Sequence, residues 1–171
     1  MADLVGIALG SNLGDRLANL REACRRLRGL AVPGSEFRSS LVYQTAPQHC
    51  PPDSPDFLNA VVELEYTGSV QDLLTATRAI EKDMGRMREG ERNAPRTLDL
   101  DLLYVGEEEC ETDDLTLPHP RITERVFVLQ PLVDIRPNLV LPGEVITVAE
   151  QLAMLMLQEP PLEVLEEGLG G

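Results

Sequence analysis

Two aspartates in the segment Thr-Leu-Asp-Leu-Asp-Leu-Leu have the residue type and the spacing of a magnesium site. If residues 97–105 form a strand, side-chain alternation places Asp99 and Asp101 on one face and the intervening leucines on the other. The two Cα atoms then lie roughly 6–7 Å apart, where like charges repel unless a cation offsets them. Mg²⁺ binds one or two carboxylates and completes its shell with water and phosphate oxygens. Taken alone, the pair fits a solvated strand face better, so the flanking residues decide.

Four arginines in the loop before this strand change that interpretation. They are Arg86, Arg88, Arg92 and Arg96. A guanidinium group matches phosphate oxygens with parallel hydrogen bonds, and a glycine-interrupted loop can close over a polyphosphate. Phosphoryl transfer depends mainly on positioning and on charge neutralisation by metal and cationic side chains. Carboxylates and arginines together therefore predict a magnesium–nucleotide site.

Several other catalytic designs are excluded by missing residues. The chain has a single lysine, Lys82, and no Gly-x-x-x-x-Gly-Lys-Ser/Thr segment, so it is not a P-loop enzyme. It also lacks the Gly-x-Ser-x-Gly segment of serine hydrolases. Its two histidines, His49 and His119, are too isolated for a zinc site. His119 adjoins Arg121 in a proline-fixed loop, where hydrogen bonding within the loop and phosphate contact are equally open.

The distribution of charge favours a small anionic ligand over nucleic acid. The formal net charge is −14, and from residue 107 onward fourteen acidic residues stand against three arginines. The first 106 residues therefore have a net charge of only −3, and six basic residues lie between residues 78 and 96. Because a polyanion needs a broad basic surface, one local basic cluster on an acidic protein suits a small phosphate-bearing ligand.

The chain shows no sign of a membrane or secretory protein. No stretch approaches the roughly 18–20 apolar residues that cross a bilayer, and the first residues lack the features of a secretory signal. Three widely spaced cysteines, Cys24, Cys50 and Cys110, argue against a disulfide framework and against structural zinc. We therefore expect a cytoplasmic protein.

Hydrophobic periodicity and turn residues predict one α+β domain over residues 1–159 and a frayed tail over residues 160–171. Strands are predicted at residues 5–9, 37–45, 60–66 and 97–105, and helices at about residues 16–28, 69–84, 122–133 and 147–157, the second and fourth helices being capped by Ser69 and Thr147. Residues 10–15 are predicted to form a turn and residues 107–114 a solvated acidic hairpin connection, and Cys24 falls on the buried side of the first helix. The first six elements have the order βαββαβ, which is the ferredoxin-like plan, and the C-terminal helices are additions to it. An antiparallel sheet with helices on one face leaves its other face free for a ligand.

Several segments, taken in order, resemble 6-hydroxymethyl-7,8-dihydropterin pyrophosphokinases of the folate pathway. These are Ala-Leu-Gly-Ser-Asn-Leu-Gly-Asp at 8–15, Tyr-Gln-Thr-Ala-Pro at 43–47, Phe-Leu-Asn-Ala at 57–60, Arg-Asn-Ala-Pro-Arg-Thr-Leu-Asp-Leu-Asp at 92–101, Leu-Pro-His-Pro-Arg at 117–121 and Arg-Val-Phe at 125–127. The resemblance covers about residues 5–141. It implies transfer of pyrophosphate from ATP to the pterin hydroxymethyl group, with release of AMP. The implied partners are ATP and a pterin, without nucleic acid or membrane, and we expect a monomer.

The resemblance also implies a role for each matching residue on the nucleotide side. Asp99 and Asp101 would bind two Mg²⁺ ions that bridge the ATP phosphates, and Arg86 and Arg96 would stabilise the transferred group. The remaining ATP contacts would come from Glu81, Arg88, Arg92, Thr116, His119 and Arg125. The group that accepts the hydroxyl proton stays open, because Asp99, Asp101 or metal coordination alone could serve.

On the pterin side, the resemblance implies a ring held between two aromatic side chains, Phe57 and Phe127. Asn59 and the backbone around Thr45 and Ala46 would recognise its polar edge. Stacking then supplies contact area and a few polar groups supply orientation. Without the resemblance, the two phenylalanines would be interpreted as core residues.

Four positions depart from the family pattern. Asn93 stands where a tryptophan is usual, Ala46 replaces a frequent proline, Gln48 stands at an often apolar position, and Pro120 follows His119 where an aromatic residue is common. These changes concern the closing loop and the packing of the nucleotide.

The residues alone leave two other functions open. One is a ferredoxin-like regulatory module that binds a nucleotide or a pterin without turnover. The other is a magnesium-dependent kinase or nucleotidyltransferase that acts on a different small alcohol. The nucleotide product separates these alternatives, because only pyrophosphate transfer to the pterin releases AMP.

Overall fold

The computed structural model describes residues 2–45, 56–85, 97–165 and 168–169. Its strands are β1 Asp3–Ser11, β2 Arg38–Ser39, β3 Tyr43–Thr45, β4 Phe57–Tyr66, β5 Asp99–Val105, β6 Cys110–Glu111, β7 Thr116–Leu117 and β8 Glu163–Val164. Its helices are α1 Arg16–Arg28, α2 Val70–Asp83, α3 Val126–Ile135 and α4 Val148–Leu155, with a 3₁₀ turn at Ile122–Glu124. No helix within these ranges is long and apolar enough to cross a membrane.

A six-stranded antiparallel sheet forms the centre of the molecule, with the order β5-β1-β4-β3-β8 and with β2 also paired to β4. The prediction of an α+β, ferredoxin-like arrangement is confirmed. The predicted strand over residues 37–45 is interrupted, however, and forms both β2 and β3. Ser40 causes the break, because its hydroxyl replaces a backbone carbonyl as the acceptor for Val61 N at 2.9 Å.

Local sequence signals fix where the helices begin. Asp15 caps α1 by accepting a hydrogen bond from Ala18 N at 3.1 Å, and Ser69 caps α2 by accepting one from Asp72 N at 3.0 Å. Thr147 begins α4 with a reciprocal capping box. Each cap satisfies a backbone N–H that has no partner within the helix.

The two faces of the sheet are covered differently. Helices α1 and α2 pack on the first face, where β1 contributes alternate residues to a core that also contains the predicted buried thiol of Cys24. Helices α3 and α4 pack on the second face, over Val61, Leu103 and Tyr104. The prediction that this second face is free was therefore wrong for the part of it that α3 and α4 cover. Helix α3 is mostly apolar, so one of its sides must be buried. It packs that side on the sheet face that α1 and α2 leave uncovered.

The end of the chain also differs from the frayed tail predicted from residue 160. Strand β8 pairs with Tyr43 and Gln44 of β3, and Leu169 is only 6% exposed within the first core. Glutamate and glycine content suggested fraying, but leucines in this segment supply enough apolar surface to dock it.

Candidate active site

The aspartates of β5 lie as the alternation predicts. Leu98, Leu100 and Leu102 are buried in the first core, whereas Asp101 is exposed and Asp99 is half-buried. Strand β5 begins at Asp99 rather than at residue 97, so the pair occupies its first same-face positions. The two carboxylates therefore project from the second sheet face at the strand's beginning.

A row of residues in register crosses the sheet at Asp99. Gly10 of β1 lies opposite Asp99 on one side and opposite Asn59 of β4 on the other. A Cβ atom at Gly10 would lie 3.3 Å from Asn59 Oδ1 and 3.7 Å from Phe57 Cδ1. The missing side chain thus lets Asn59 and Phe57 lie close to the β1 backbone beside Asp99. Sequence reasoning placed Gly10 in a turn, although a glycine inside a strand often marks a close approach by a ligand.

Three of the four predicted pterin contacts in the described residues lie together on β3 and β4. Asn59 Nδ2 donates to Thr45 Oγ1 at 2.9 Å, and Phe57 pairs with Thr45 across the two strands. Asn59 is 7% exposed, so its amide is held in place by its surroundings. Ala46, the neighbouring predicted contact, lies outside the described residues.

Phe127, the other predicted pterin contact, lies in the first turn of α3 and is half-buried against the second core. The guanidinium carbon of Arg125 lies 5.4 Å from the centroid of its ring, which is a cation–π distance. Arg125 was predicted as a nucleotide contact and Phe127 as a pterin contact. Their proximity places the two predicted sets of ligand residues side by side.

A cavity of about 350 Å³ opens between α2, the edge strand β5 and the β6–β7 hairpin. Its lining brings together four predicted residues, namely Glu81, Asp101, Thr116 and His119. Leucines at positions 74, 100, 102 and 115 give it an apolar wall. Most of the other lining residues are polar or charged, so the cavity suits a ligand that has both an apolar ring and polar groups.

Two further charged residues of this cavity, Asp113 and Asp114 of the hairpin loop, were missed by the sequence. Arg78 of α2 also lines the cavity, and it belongs to the basic cluster that the sequence linked to a small anionic ligand. The hairpin itself was predicted, but as a solvated acidic turn. Charged residues in a turn are usually interpreted as solvated, and only the folding of the hairpin against α2 and β5 places these two at a cavity.

Glu81 has a structural contact besides its place in the cavity lining. It is 5% exposed, and its Oε2 accepts a hydrogen bond from Leu100 N at 2.8 Å. Because β5 is the edge of the sheet among the described strands, this bond from α2 satisfies a backbone donor on the side of β5 where none of those strands pairs with it. Glu81 therefore fixes the strand that contains the aspartates.

His119 is positioned by its own backbone and by its ring. Its N–H donates to Leu103 O at 2.8 Å, and its Nδ1 accepts from Arg121 N at 3.2 Å. Burial lowers the pKa of His119, Asp101 opposes that shift, and Arg125 and Arg121 reinforce it. The ring is therefore neutral near pH 7, and the acceptor role of Nδ1 places its proton on Nε2. The loop hydrogen bond is confirmed, while a phosphate contact stays a prediction.

The remaining predicted residues lie outside the part of the chain that the structure describes. These are Arg86, Arg88, Arg92 and Arg96, together with Asn93 and Gln48. Pro120, the fourth departure from the family pattern, lines the cavity beside His119. Within residues 2–45, 56–85, 97–165 and 168–169, no group of three or more His, Cys, Asp and Glu side chains forms a metal-binding cluster.

Comparison with solved structures supports the fold. The chain is similar to an HPPK-DHPS protein of Plasmodium falciparum crystallised with pteroate, with a TM-score of 0.69 and 12% sequence identity. The match covers 98% of this chain and 49% of that chain. At this identity the likeness concerns the fold alone.

Sequence comparison identifies the family. A model described as 7,8-dihydro-6-hydroxymethylpterin-pyrophosphokinase (HPPK) matches residues 6–137. A 2-amino-4-hydroxy-6-hydroxymethyldihydropteridine pyrophosphokinase of Bacillus subtilis is 43% identical over 135 residues, which are 79% of this chain and 79% of that protein. A folate synthesis bifunctional protein of Arabidopsis thaliana is 45% identical over 131 residues, which are 77% of this chain but only 26% of that protein. The chain thus spans about a quarter of the plant relative, and it belongs to the 7,8-dihydro-6-hydroxymethylpterin-pyrophosphokinase family.

Proposed function

We propose that this chain transfers the pyrophosphoryl group of ATP to the hydroxymethyl group of 6-hydroxymethyl-7,8-dihydropterin, giving the pterin diphosphate and AMP. The observation that supports this most directly is the position of the β5 carboxylates. Asp101 lines the cavity beside α2, and Asp99 lies in register with Gly10 and Asn59 on the sheet. The carboxylate pair therefore lies between a candidate nucleotide site and a candidate pterin site.

The nucleotide would bind in the cavity between α2, β5 and the hairpin. The apolar wall suits the adenine ring, and Thr116 and the Nε2–H of His119 are donors for phosphate or ribose oxygens. Because it has no positive charge, a neutral His119 can donate this hydrogen bond without forming an ion pair with the carboxylate of Asp101. The four arginines that the sequence places before β5 are proposed to contact the phosphates, with Arg86 and Arg96 on the transferred group.

The pterin would lie over Gly10, where the absent side chain leaves room for a flat ring. Asn59 presents an amide to the polar edge of that ring, and Thr45 holds the amide by the 2.9 Å hydrogen bond. Phe57 on β4 and Phe127 on α3 are proposed to stack on its two faces. Arg125 lies close enough to Phe127 to contact a phosphate beside the stacked ring.

The carboxylate pair suits a hard divalent cation, because it offers oxygen donors from adjacent same-face positions of one strand. Asp99 and Asp101 would hold magnesium, two ions in the family pattern. When bound, magnesium supplies charge neutralisation at the phosphates and a lower pKa for the attacking hydroxyl.

In the proposed reaction, the pterin hydroxyl oxygen forms a bond to the β-phosphorus of ATP. The bond between this phosphorus and the oxygen bridging to the α-phosphate breaks, and AMP leaves with that oxygen. The hydroxyl proton is released, with Asp99 and Asp101 as the nearest proposed acceptors. The rigid row Asp99–Gly10–Asn59 would hold the alcohol near the phosphate, which is the main contribution that a protein makes to such a transfer.

The nucleotide product tests the proposal. The purified chain is incubated with Mg-ATP and 6-hydroxymethyl-7,8-dihydropterin, and the nucleotides are separated by ion-exchange chromatography. AMP formed in equal amount to the pterin diphosphate is expected. ADP would indicate a simple kinase, and the absence of any nucleotide product would indicate a binding module. The proposed monomer is checked on the same preparation by light scattering.

A further inference from the structure

The segment after residue 159 joins two elements that contain proposed pterin contacts. Strand β8 pairs with Tyr43 and Gln44 of β3, and Leu165 N donates to Val42 O at 2.9 Å. Just before this strand, Leu162 N donates to Oε1 of Gln130 on α3 at 2.9 Å. One short segment therefore holds both β3 and α3.

The same segment is anchored to the body of the molecule beyond β8. Leu165 packs against the first core, and Leu169 is buried within it. Arg21 of α1 donates from Nε to Gly168 O at 3.0 Å. Because these contacts fix the segment to α1, it can hold β3 against a rigid support.

Both contacted elements bear on the proposed pterin site within a few residues. Strand β3 ends at Thr45, which accepts the hydrogen bond from Asn59. Helix α3 begins at Val126, so Gln130 lies one turn after Phe127. Tyr43 Oη also donates to Asp134 Oδ2 of α3 at 2.7 Å. A shift of β3 relative to α3 would therefore move Thr45 and Asn59 relative to Phe127.

Without β8, strand β3 would become the edge of the sheet with only three residues. Strands that short are weakly held, because they share few hydrogen bonds with their neighbour. Strand β8 pairs with two of the three β3 residues that β4 also pairs with, just before Thr45.

We propose that residues 160–165, together with the anchoring residues 168–169, are a brace that positions β3 and α3 for binding of the pterin, and that this brace does not act on the nucleotide. This inference rests on the proposed function. The segment lies outside residues 6–137, which the family model matches, so the brace is argued from this chain's own contacts. The nucleotide cavity is lined by α2, β5 and the hairpin, none of which the segment contacts through the hydrogen bonds described above.

The first test uses the full chain with Leu165→Pro, which removes the N–H that bonds to Val42 O, and Leu165→Val as the control that keeps it. We expect the pterin KM of Leu165→Pro to rise about tenfold while the ATP KM stays within about twofold, because the loss of positioning affects one substrate. Leu165→Val should differ little from the unmodified chain. An unchanged pterin KM, or equal increases for both substrates, would overturn the brace.

A second pair of variants decides the matter if Leu165→Pro does not fold. Gln130→Leu removes the acceptor for Leu162 N, and Gln130→Glu keeps an Oε acceptor at the same place. The expected result is an increase of about fivefold in the pterin KM for Gln130→Leu and a smaller one for Gln130→Glu. Equal pterin KM values for Gln130→Leu and Gln130→Glu would overturn the proposal. If the unmodified chain forms no AMP, the proposed function fails instead, so the two failures are distinct.

Discussion

Two rows of residues cross strands β5, β1 and β4 on the second sheet face, and each has a glycine at its centre. In the first row, Tyr104, Gly6 and Glu63 lie in register, and in the second row Asp99, Gly10 and Asn59 do so. The rows are four residues apart along β1. They have the same backbone pattern, yet one is closed by the protein itself and the other borders a candidate site.

The first row is filled from within the chain. A Cβ atom at Gly6 would overlap the Tyr104 ring, so this ring occupies the space above the glycine. Glu63 is 3% exposed, and its Oε2 accepts hydrogen bonds from Tyr104 Oη and Arg136 Nη1, both at 2.6 Å. Protein groups of the chain itself therefore fill the space above Gly6 and supply hydrogen bonds to the carboxylate of Glu63.

The second row is different because no ring of the described residues overlaps the position of a Cβ atom at Gly10. The nearest atoms to a Cβ at that position belong to Asn59 and Phe57, at ordinary or slightly short contact distance. The neighbouring carboxylate of Asp101 is exposed and lines the cavity. A carboxylate on this sheet face can therefore have either role. Glu63 is buried and hydrogen-bonded by protein groups, which indicates a structural role, whereas Asp101 is exposed beside a cavity, which makes it a candidate catalytic residue.

The largest expected effect is the loss of turnover on removing a carboxylate of the second row. Asp101→Ala should reduce kcat by about 10³-fold or more, because it removes a carboxylate that is proposed to hold magnesium at the transferred phosphates. Thermal unfolding should change little, since Asp101 is exposed. Steady-state AMP formation and calorimetry measure the two quantities. Full activity in this variant would remove Asp101 from the site.

Removing the carboxylate of the first row should instead lower stability and leave turnover nearly unchanged. Glu63→Ala leaves Arg136 and Tyr104 without their shared acceptor and should lower the free energy of unfolding by about 2–3 kcal/mol. Glu63→Gln keeps an acceptor and should cost less. Urea denaturation measures the difference, and kcat of the folded fraction should stay within a few-fold. A stability equal to that of the unmodified chain would show that this row is not held by Glu63.

The two glycines provide the most closely matched pair of variants. Gly10→Ala should raise the dissociation constant of the pterin by about tenfold, because a methyl group enters the proposed ring site beside Asn59. Gly6→Ala should instead destabilise the fold by about 1–3 kcal/mol, because its methyl group overlaps the Tyr104 ring. Isothermal titration with the pterin and urea denaturation separate the two effects. If both variants lose stability and keep pterin affinity, the space above Gly10 is not a ligand site.

The smallest expected effect is a change in stability with pH. Burial, followed by the neighbouring carboxylate of Glu63, raises the pKa of Tyr104 above its ordinary value near 10.0. Above that pH the unfolded chain loses the phenolic proton while the folded protein keeps it, so stability falls as pH rises. Tyr104→Phe should reduce this slope. Unfolding measured at pH 9 and pH 11 tests it, and an unchanged slope would contradict the buried hydrogen bond.

The features that the sequence predicted correctly depend on residues that are close together along the chain. The alternation over Leu98–Asp99–Leu100–Asp101 has a period of two, which backbone geometry alone enforces, and the helix caps at Ser69 and Thr147 are local hydrogen bonds. The family resemblance then brought Thr45 and Asn59 into one predicted site, and the structure confirms that they are in contact.

The features that were missed depend on contacts between distant parts of the chain. The packing of α3 on the second face and the docking of β8 on β3 require partners about 60 to 120 residues away in the sequence. The exchange of a backbone acceptor for the Ser40 hydroxyl interrupts a strand without any turn residue to signal it. Asp113 and Asp114 were assigned to solvent because nothing in their own segment indicates the nearby helix.

The central claim is tested most directly by following the β-phosphorus of ATP. The chain is incubated with Mg-ATP labelled at this phosphorus and with 6-hydroxymethyl-7,8-dihydropterin, and the products are separated. The account predicts that the label leaves the nucleotide and appears in the pterin diphosphate, next to the pterin oxygen. Label that stays in the nucleotide, as ADP or as ATP, would contradict it.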